Sequence, residues 1–127
     1  MSKLISRPRN ISAAPLARPL LLWRNIVMKV YIEYKVIPEK REQYLNLIDQ
    51  AHQFYKKFPI HHFSIYEGVE QPNRFVEDID LADSHTFSEL KKKRLQDEGF
   101  WEEVHSCIEG NRSKLRVYAF RKIHSME

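Results

Sequence analysis

Two side chains in this 127-residue sequence stand where acid–base chemistry would be useful. Glu77 is in phase with Phe75, Ile79 and Leu81 on an alternating segment, so it shares the apolar face of a strand. A carboxylate there is costly unless paired, and burial alone raises its pKa toward that of a general base. A structural acid paired with a helix residue is the competing reading. His105 follows Trp101 by four residues and Val104 by one, at the border of an apolar helical stripe. An imidazole placed there, with its near-neutral pKa, would take a proton from a phenolic or enolic substrate; its structural counterpart is a boundary histidine bonded to solvent or backbone. Trp101, Tyr34, Phe63 and His52 are the candidates for enclosing a flat aromatic substrate, with Tyr55 as a further wall, although stripes of this kind also build ordinary cores.

Other chemistries fail on spacing. Glu102 and His105 form one Glu-x-x-His, whereas carboxylate-bridged di-iron sites in helical bundles need two such pairs and further glutamates. His52, His61, His62 and His105 do not have the local spacing of metal ligands, so no metal is expected. Three glycines, at 68, 99 and 110, cannot build a phosphate loop. Ser64, Ser84, Ser88 and Cys107 lack a turn motif that would expose a nucleophile.

The elements that carry these residues are readable from period. Residues 28–37 alternate, with Met28, Val30, Ile32, Tyr34 and Val36 on one side, and predict a strand ended by Pro38. Residues 39–58 switch to steps of three and four through Tyr44, Leu47, Ile48, Ala51, Tyr55 and Phe58, predicting one amphipathic helix stopped by Pro59. Residues 60–69 and 74–81 predict an antiparallel hairpin around Glu70-Gln71-Pro72-Asn73. Residues 85–109 predict a helical region broken near Gly99 and ended by Gly110, with Asp83, Ser84 and Thr86 as competing caps. The basic run Lys91-Lys92-Lys93-Arg94 within it reads as a solvated helix face. Residues 115–123 predict a last strand. The order β-α-β-β-α-β is that of an α+β, ferredoxin-like domain: a four-stranded antiparallel sheet with its helices on one face.

The other face of that sheet presents Tyr31, Tyr118 and Phe120 among charges. Rings so placed are uncomfortable in water, and a second copy closing face to face about a two-fold axis would shelter them, with Lys35, Arg116 and Lys122 meeting Glu33 or another acid. A homodimeric α+β barrel is therefore expected.

With 43% hydrophobic and 30% charged residues the chain suits one folded domain, and it has no run near the roughly 18 apolar residues of a membrane span. The single Cys107 excludes an internal disulfide and fits a reducing, cytoplasmic setting. The formal charge of +4 divides unevenly: residues 1–27 hold five basic groups and no acid, leaving 16 basic against 17 acidic groups in residues 28–127. Residues 1–27 are read as a basic extension, disordered or non-native, and 28–127 as the domain. A nearly neutral body disfavours nucleic acid, whose binding is driven by phosphate neutralisation.

Residues 28–123 resemble the antibiotic biosynthesis monooxygenase (ABM) family of the dimeric α+β barrel superfamily. The likeness rests on Met28-Lys-Val-Tyr-Ile-Glu-Tyr-Lys-Val-Ile-Pro38, on Arg74-Phe-Val-Glu-Asp-Ile79 and on Gly99-Phe-Trp-Glu-Glu-Val-His105. It implies a homodimer with a ligand cleft between sheet and helices, and an activity among cofactor-independent monooxygenases of aromatic compounds or haem-degrading enzymes. Members often carry a tryptophan two residues after the glutamate matched by Glu77, and a histidine in the second helix; here Ile79 and the lysine run near Lys91 fall in those places. The haem-degrading set is thus incomplete. Two functions are expected: a cofactor-independent monooxygenase or isomerase acting on a small aromatic compound through Glu77 or His105, or a non-catalytic dimer binding a small hydrophobic ligand or haem, with His105 or His52 as the axial ligand.

Overall fold

A computed structural model describes residues 28–124 and 126; the extension predicted over 1–27 lies outside them. The strand β1 (Met28–Lys35) turns Val30, Ile32 and Tyr34 into the core, and Val36 continues the row. After a 3-10 turn at Pro38–Lys40 come α1 (Arg41–Ile48) and α2 (Ala51–Tyr55). The single helix expected over 39–58 is therefore divided. Gln50 makes two 3-10-type bonds at the break, its N–H to the Leu47 carbonyl (2.9 Å) and its carbonyl accepting the Gln53 N–H (3.0 Å). Asn46 and Asp49 are poor interior helix formers, and the break still leaves Tyr44, Ile48, Ala51 and Tyr55 buried on one side.

The hairpin is β2 (Ile60–Glu67) and β3 (Arg74–Leu81), turning through Asn73 at φ +72°. Asp83 caps α3 (Ser84–Arg94), its carboxylate accepting the Thr86 N–H at 2.7 Å. The break expected at Gly99 is present: Gly99, at φ +59°, opens α4 (Phe100–Ser106). Gly110, at φ +80°, lies beyond that helix and leads into a 3-10 turn (Asn111–Lys114) and β4 (Arg116–Arg121).

The sheet order is β2-β3-β1-β4 with every pairing antiparallel, the ferredoxin-like arrangement. One face carries the helices over a core of Val30, Ile32, Tyr44, Ile79, Leu81, Leu90, Val104 and Ile108. The end of α4 is tied to the end of β1: the Ile37 N–H meets the Cys107 carbonyl and the Glu109 N–H meets that of Lys35, both at 2.8 Å. That stitch fixes where Trp101 and His105 sit above the sheet. On the opposite face Tyr118 lies across from Tyr31 and Phe120 across from Lys29, with Tyr66, Tyr118 and Phe120 exposed. Glu33 on that face is taken by Arg74 at 3.1 Å within the chain, and Lys29 pairs with Asp80 at 2.8 Å and Asp78 at 3.3 Å. Among the described residues no helix is long and apolar enough to cross a membrane.

Candidate functional site

Glu77 projects from the middle of β3, opposite Ile32 on one side and Ile65 on the other, and is fully buried. Each of its oxygens accepts two donors. Oε1 takes the Tyr55 hydroxyl at 2.5 Å and Arg94 Nε at 3.1 Å. Oε2 takes the Tyr34 hydroxyl at 2.6 Å and Arg94 Nη2 at 2.8 Å. A carboxylate has about four lone-pair sites, and all are filled. Because Tyr34 donates to Glu77, the 2.7 Å contact between the Tyr34 and Tyr44 hydroxyls must run from Tyr44 to Tyr34.

Arg94 is the hub of this cluster. The basic run was expected to be a solvated face; Lys91, Lys92 and Lys93 are exposed, but Arg94 is fully buried. Its phase explains this, since Thr86, Leu90 and Arg94 recur every four residues and all three are buried. The third guanidinium nitrogen, Nη1, lies 2.8 Å from His105 Nε2. A guanidinium can only donate, so Nε2 accepts and the imidazole proton sits on Nδ1, which donates to Asp97 at 2.9 Å. The guanidinium carbon stands 3.7 Å from the Trp101 ring centre, a close cation–π contact.

The electrostatics follow from these contacts. Burial pushes the Glu77 carboxyl up, but the charge and hydrogen bonds of Arg94 and the two phenols outweigh it and leave the pKa lowered. Burial alone was expected to raise this carboxyl; the buried cation reverses that. Burial lowers Arg94 in turn, and the Glu77 carboxylate restores and raises it. Tyr34, Tyr55 and Tyr44 are all raised, by burial and then by the Glu77 charge. His105 is lowered, by burial first and by Arg94, against the pull of Asp97. At neutral pH the cluster is one anion, one cation and neutral phenols and imidazole.

The residues singled out in the sequence fall into two groups. Glu77, His105 and Tyr34 converge around Arg94, with Trp101 covering it. His52 and Phe63 lie elsewhere, in an open hollow of about 460 Å³ with Leu45, Ile48, Tyr66 and Phe75. Tyr55, read as a pocket wall, is a hydrogen-bond donor to Glu77. The space between Glu77, His105 and Trp101 is filled by the Arg94 side chain. His105, one of the two expected haem ligands, has both ring nitrogens engaged and is 1% exposed. Among the described residues no group of three or more histidine, cysteine, aspartate or glutamate side chains could hold a metal ion.

A second hollow, about 430 Å³, opens beside Trp101. Trp101, Phe54 and Phe100 wall it, with Trp101 edge-on to Phe54 at 5.1 Å and to Phe100 at 4.7 Å. Gln50, Gln53 and Gln96 supply amides, and Lys57 and Lys93 ammonium groups. The Trp101 indole N–H is buried with no acceptor among the described residues. Phe54 and Phe100 were not among the candidate site residues, because aromatic residues on a helix announce core and rim alike.

No protein-family model matches the chain, and no curated protein matches it significantly. Solved structures do. A conserved protein from Methanosarcina mazei aligns over 80% of this chain and 98% of its own, with TM-score 0.62 and 15% identity. A structure described as an antibiotic biosynthesis monooxygenase aligns over 76% and 99%, at 0.58 and 14%. SnoaB from Streptomyces nogalater, described as a cofactor-independent oxygenase, aligns over 80% and 97%, at 0.59 and 11%. At these identities the likeness speaks for architecture: the chain has the ferredoxin-like α+β fold of the antibiotic biosynthesis monooxygenases.

Proposed function

We propose that this protein is an ABM-type oxidoreductase of the cofactor-independent kind, a homodimer that binds a small, flat aromatic compound in the hollow beside Trp101. The observation that carries this reading is the make-up of that hollow. Its volume falls within the usual range for small-molecule sites, roughly 300–1,000 Å³, and three aromatic rings stand with a rim of amides, two lysines and one acid, Glu98, which leaves the rim a surplus of one positive charge. Rings take the flat body of the ligand, amides take its oxygens, and ammonium groups favour its phenolate or enolate. A ligand oxygen reaching the Trp101 N–H would also satisfy a donor that is otherwise unpaired.

Such a substrate supplies the electrons itself. A methylene activated by flanking rings or carbonyls loses a proton and its carbanion reduces dioxygen; two C–H bonds and the O–O bond break, one C=O forms, and the second oxygen leaves as water. Glu77 and His105 enter this reading as positioning residues. With every lone pair of Glu77 filled, they hold Arg94, and Arg94 holds the plane of Trp101. The likeness in fold to a protein described as a cofactor-independent oxygenase supports the reaction class.

The test is oxygen uptake with anthrone- and hydroquinone-type compounds, alongside quenching of tryptophan fluorescence. One dioxygen consumed per anthrone, with Trp101→Ala losing uptake and, by calorimetry, binding, is the expected result. Saturable quenching without uptake would leave a binding protein, a reading favoured by the complete engagement of Glu77 and His105. Neither signal from any compound would remove the hollow as a site.

A further inference from the structure

Residues 95–99, between α3 and α4, send side chains two ways. Gln96 and Glu98 line the hollow beside Trp101, while Asp97 between them turns to the buried imidazole of His105. Its carboxylate accepts the Nδ1 proton at 2.9 Å, although Asp97 is 51% exposed and His105 only 1%. Among the described residues this is the one hydrogen bond made by a side chain of the segment. The ends of the segment are held through backbone atoms: the Leu95 carbonyl takes Arg112 Nη1 and the Gly99 carbonyl takes the Glu102 N–H, both at 3.1 Å. From His105 the contacts run inward, to Arg94 at 2.8 Å and from its guanidinium carbon to the centre of the Trp101 ring at 3.7 Å. The imidazole and indole planes lie within 23° of parallel.

We propose that Asp97 is a positioning residue for the hollow: it fixes the tautomer of His105, His105 fixes Arg94, and Arg94 fixes the plane of Trp101 against which an aromatic ligand lies. Its role in binding rests on the reading of the hollow given above. A neutral imidazole has one donor and one acceptor nitrogen. With the proton on Nε2, two N–H groups would face each other and the third guanidinium nitrogen would lose its acceptor in a buried site, at the cost of an unmade hydrogen bond. An acceptor at Nδ1 prevents this, and Asp97 supplies it. A second proton on the ring brings the same clash with charge added, imidazolium against guanidinium. The charged groups acting on His105 come from three sides: Arg94 on α3 opposes that proton, while Asp97 and Glu77 on β3 favour it. Asp97 therefore acts in two separable ways. As an acceptor it sets the tautomer, and as an anion it sets the pH at which the imidazole charges and Trp101 is released.

Asp97→Asn keeps an acceptor and removes the charge, whereas Asp97→Ala removes both. In a Trp23→Phe chain Trp101 is the one tryptophan, so its near-ultraviolet circular dichroism and its quenching by hydroquinone can be followed against pH, beside nitrogen-15 shifts of His105. One inflection shared by the three signals is expected, with hydroquinone bound at least about fivefold more weakly on its acid side. Asp97→Asn should bind hydroquinone at neutral pH as the parent does and carry the inflection to lower pH. Asp97→Ala should weaken binding at neutral pH, and His105→Gln should remove the inflection from the dichroism and the quenching. An indole signal that ignores the His105 titration, a His105 that stays neutral until the chain unfolds, or an inflection that Asp97→Asn leaves in place would overturn the assignment. Failure of the hollow looks different: a Trp101 dichroism that follows His105 with no aromatic bound keeps the role of Asp97 and removes the site, while pH-independent binding keeps the site and removes the role.

Discussion

Replacing Arg94 by methionine keeps most of the side-chain volume and deletes the buried cation. The guanidinium is fully buried and makes three contacts, at 3.1 and 2.8 Å to Glu77 and at 2.8 Å to His105. Without it Glu77 keeps only two phenols and remains a buried anion, and removing one partner of such a pair typically costs about 3–5 kcal/mol. A domain of this size has about 5–15 kcal/mol in total, and its Tm moves about 4–8 °C per kcal/mol. The variant should therefore melt at least about 12 °C lower at pH 7.5. The deficit carries a sign in pH. In the parent, Glu77 is lowered, so its contribution is present above the unfolded carboxyl pKa and is lost as pH falls through the folded value. In Arg94→Met only the Tyr34 and Tyr55 hydroxyls still oppose burial, which raises Glu77, so the folded state takes up a proton and the deficit shrinks toward pH 4.5. Urea unfolding followed by circular dichroism and fluorescence at pH 4.5, 6 and 7.5 reads this directly. Glu77→Leu/Arg94→Met, which removes both charges, should lie closer to the parent than either single variant. A loss below about 1 kcal/mol at pH 7.5, or a deficit that does not change with pH, would mean that Glu77 is not an anion held by Arg94.

His105 should carry its proton on Nδ1, and nitrogen-15 shifts of the imidazole measure this; an Nε2–H tautomer would contradict donation from Arg94. Because burial and Arg94 lower its pKa, the unfolded chain binds more protons below about pH 6.5. Stability should then fall as pH drops through that region toward the folded value, and His105→Gln should flatten the slope. The exposed rings of the open sheet face set the oligomeric state in the proposed reading. Tyr118→Glu/Phe120→Lys should convert a dimer to particles of one chain in sedimentation velocity without lowering the helix content, and a parent that already sediments as one chain would remove the barrel.

The architecture could be read from the sequence because period is a local property. The alternation of Val30, Ile32 and Tyr34, the limits of β3 at Arg74 and Leu81, and the break at Gly99 all follow from residues within a few positions. The division of the first helix at Asp49-Gln50 was not visible, since the apolar stripe from Tyr44 to Tyr55 continues across it. The site was half visible. Glu77 announced itself as a charge on an apolar face, but its partner lay inside a run of four basic residues, where composition hides phase. Placing Arg94 on the row of Thr86 and Leu90 would have exposed it. Asp97 could not be found this way, because it lies in the irregular segment between α3 and α4, where no period exists to say which way a side chain turns. The two hollows are products of tertiary packing: Phe54 and Trp101 meet because α2 and α4 are neighbours over the sheet, and that is a long-range fact.

The way Arg94 is held changes what a mutation at Glu77 can mean. One guanidinium cancels the charge of Glu77 on β3, orients His105 on α4 and stacks on Trp101, which also walls the aromatic hollow. In the proposed reading, stability and recognition are thereby linked through a single side chain. Glu77→Gln would weaken oxygen uptake even if Glu77 never touches substrate, because a neutral amide cannot hold the cation and Trp101 would lose its fixed plane. Loss of activity alone therefore does not identify a base. The two roles separate in the pH profile of kcat/KM. Removing a base abolishes the limb on which that base ionises, whereas loosening a wall of the site raises KM and lowers the whole profile without moving its inflections. With four donors already on the Glu77 carboxylate, the geometry predicts the second pattern.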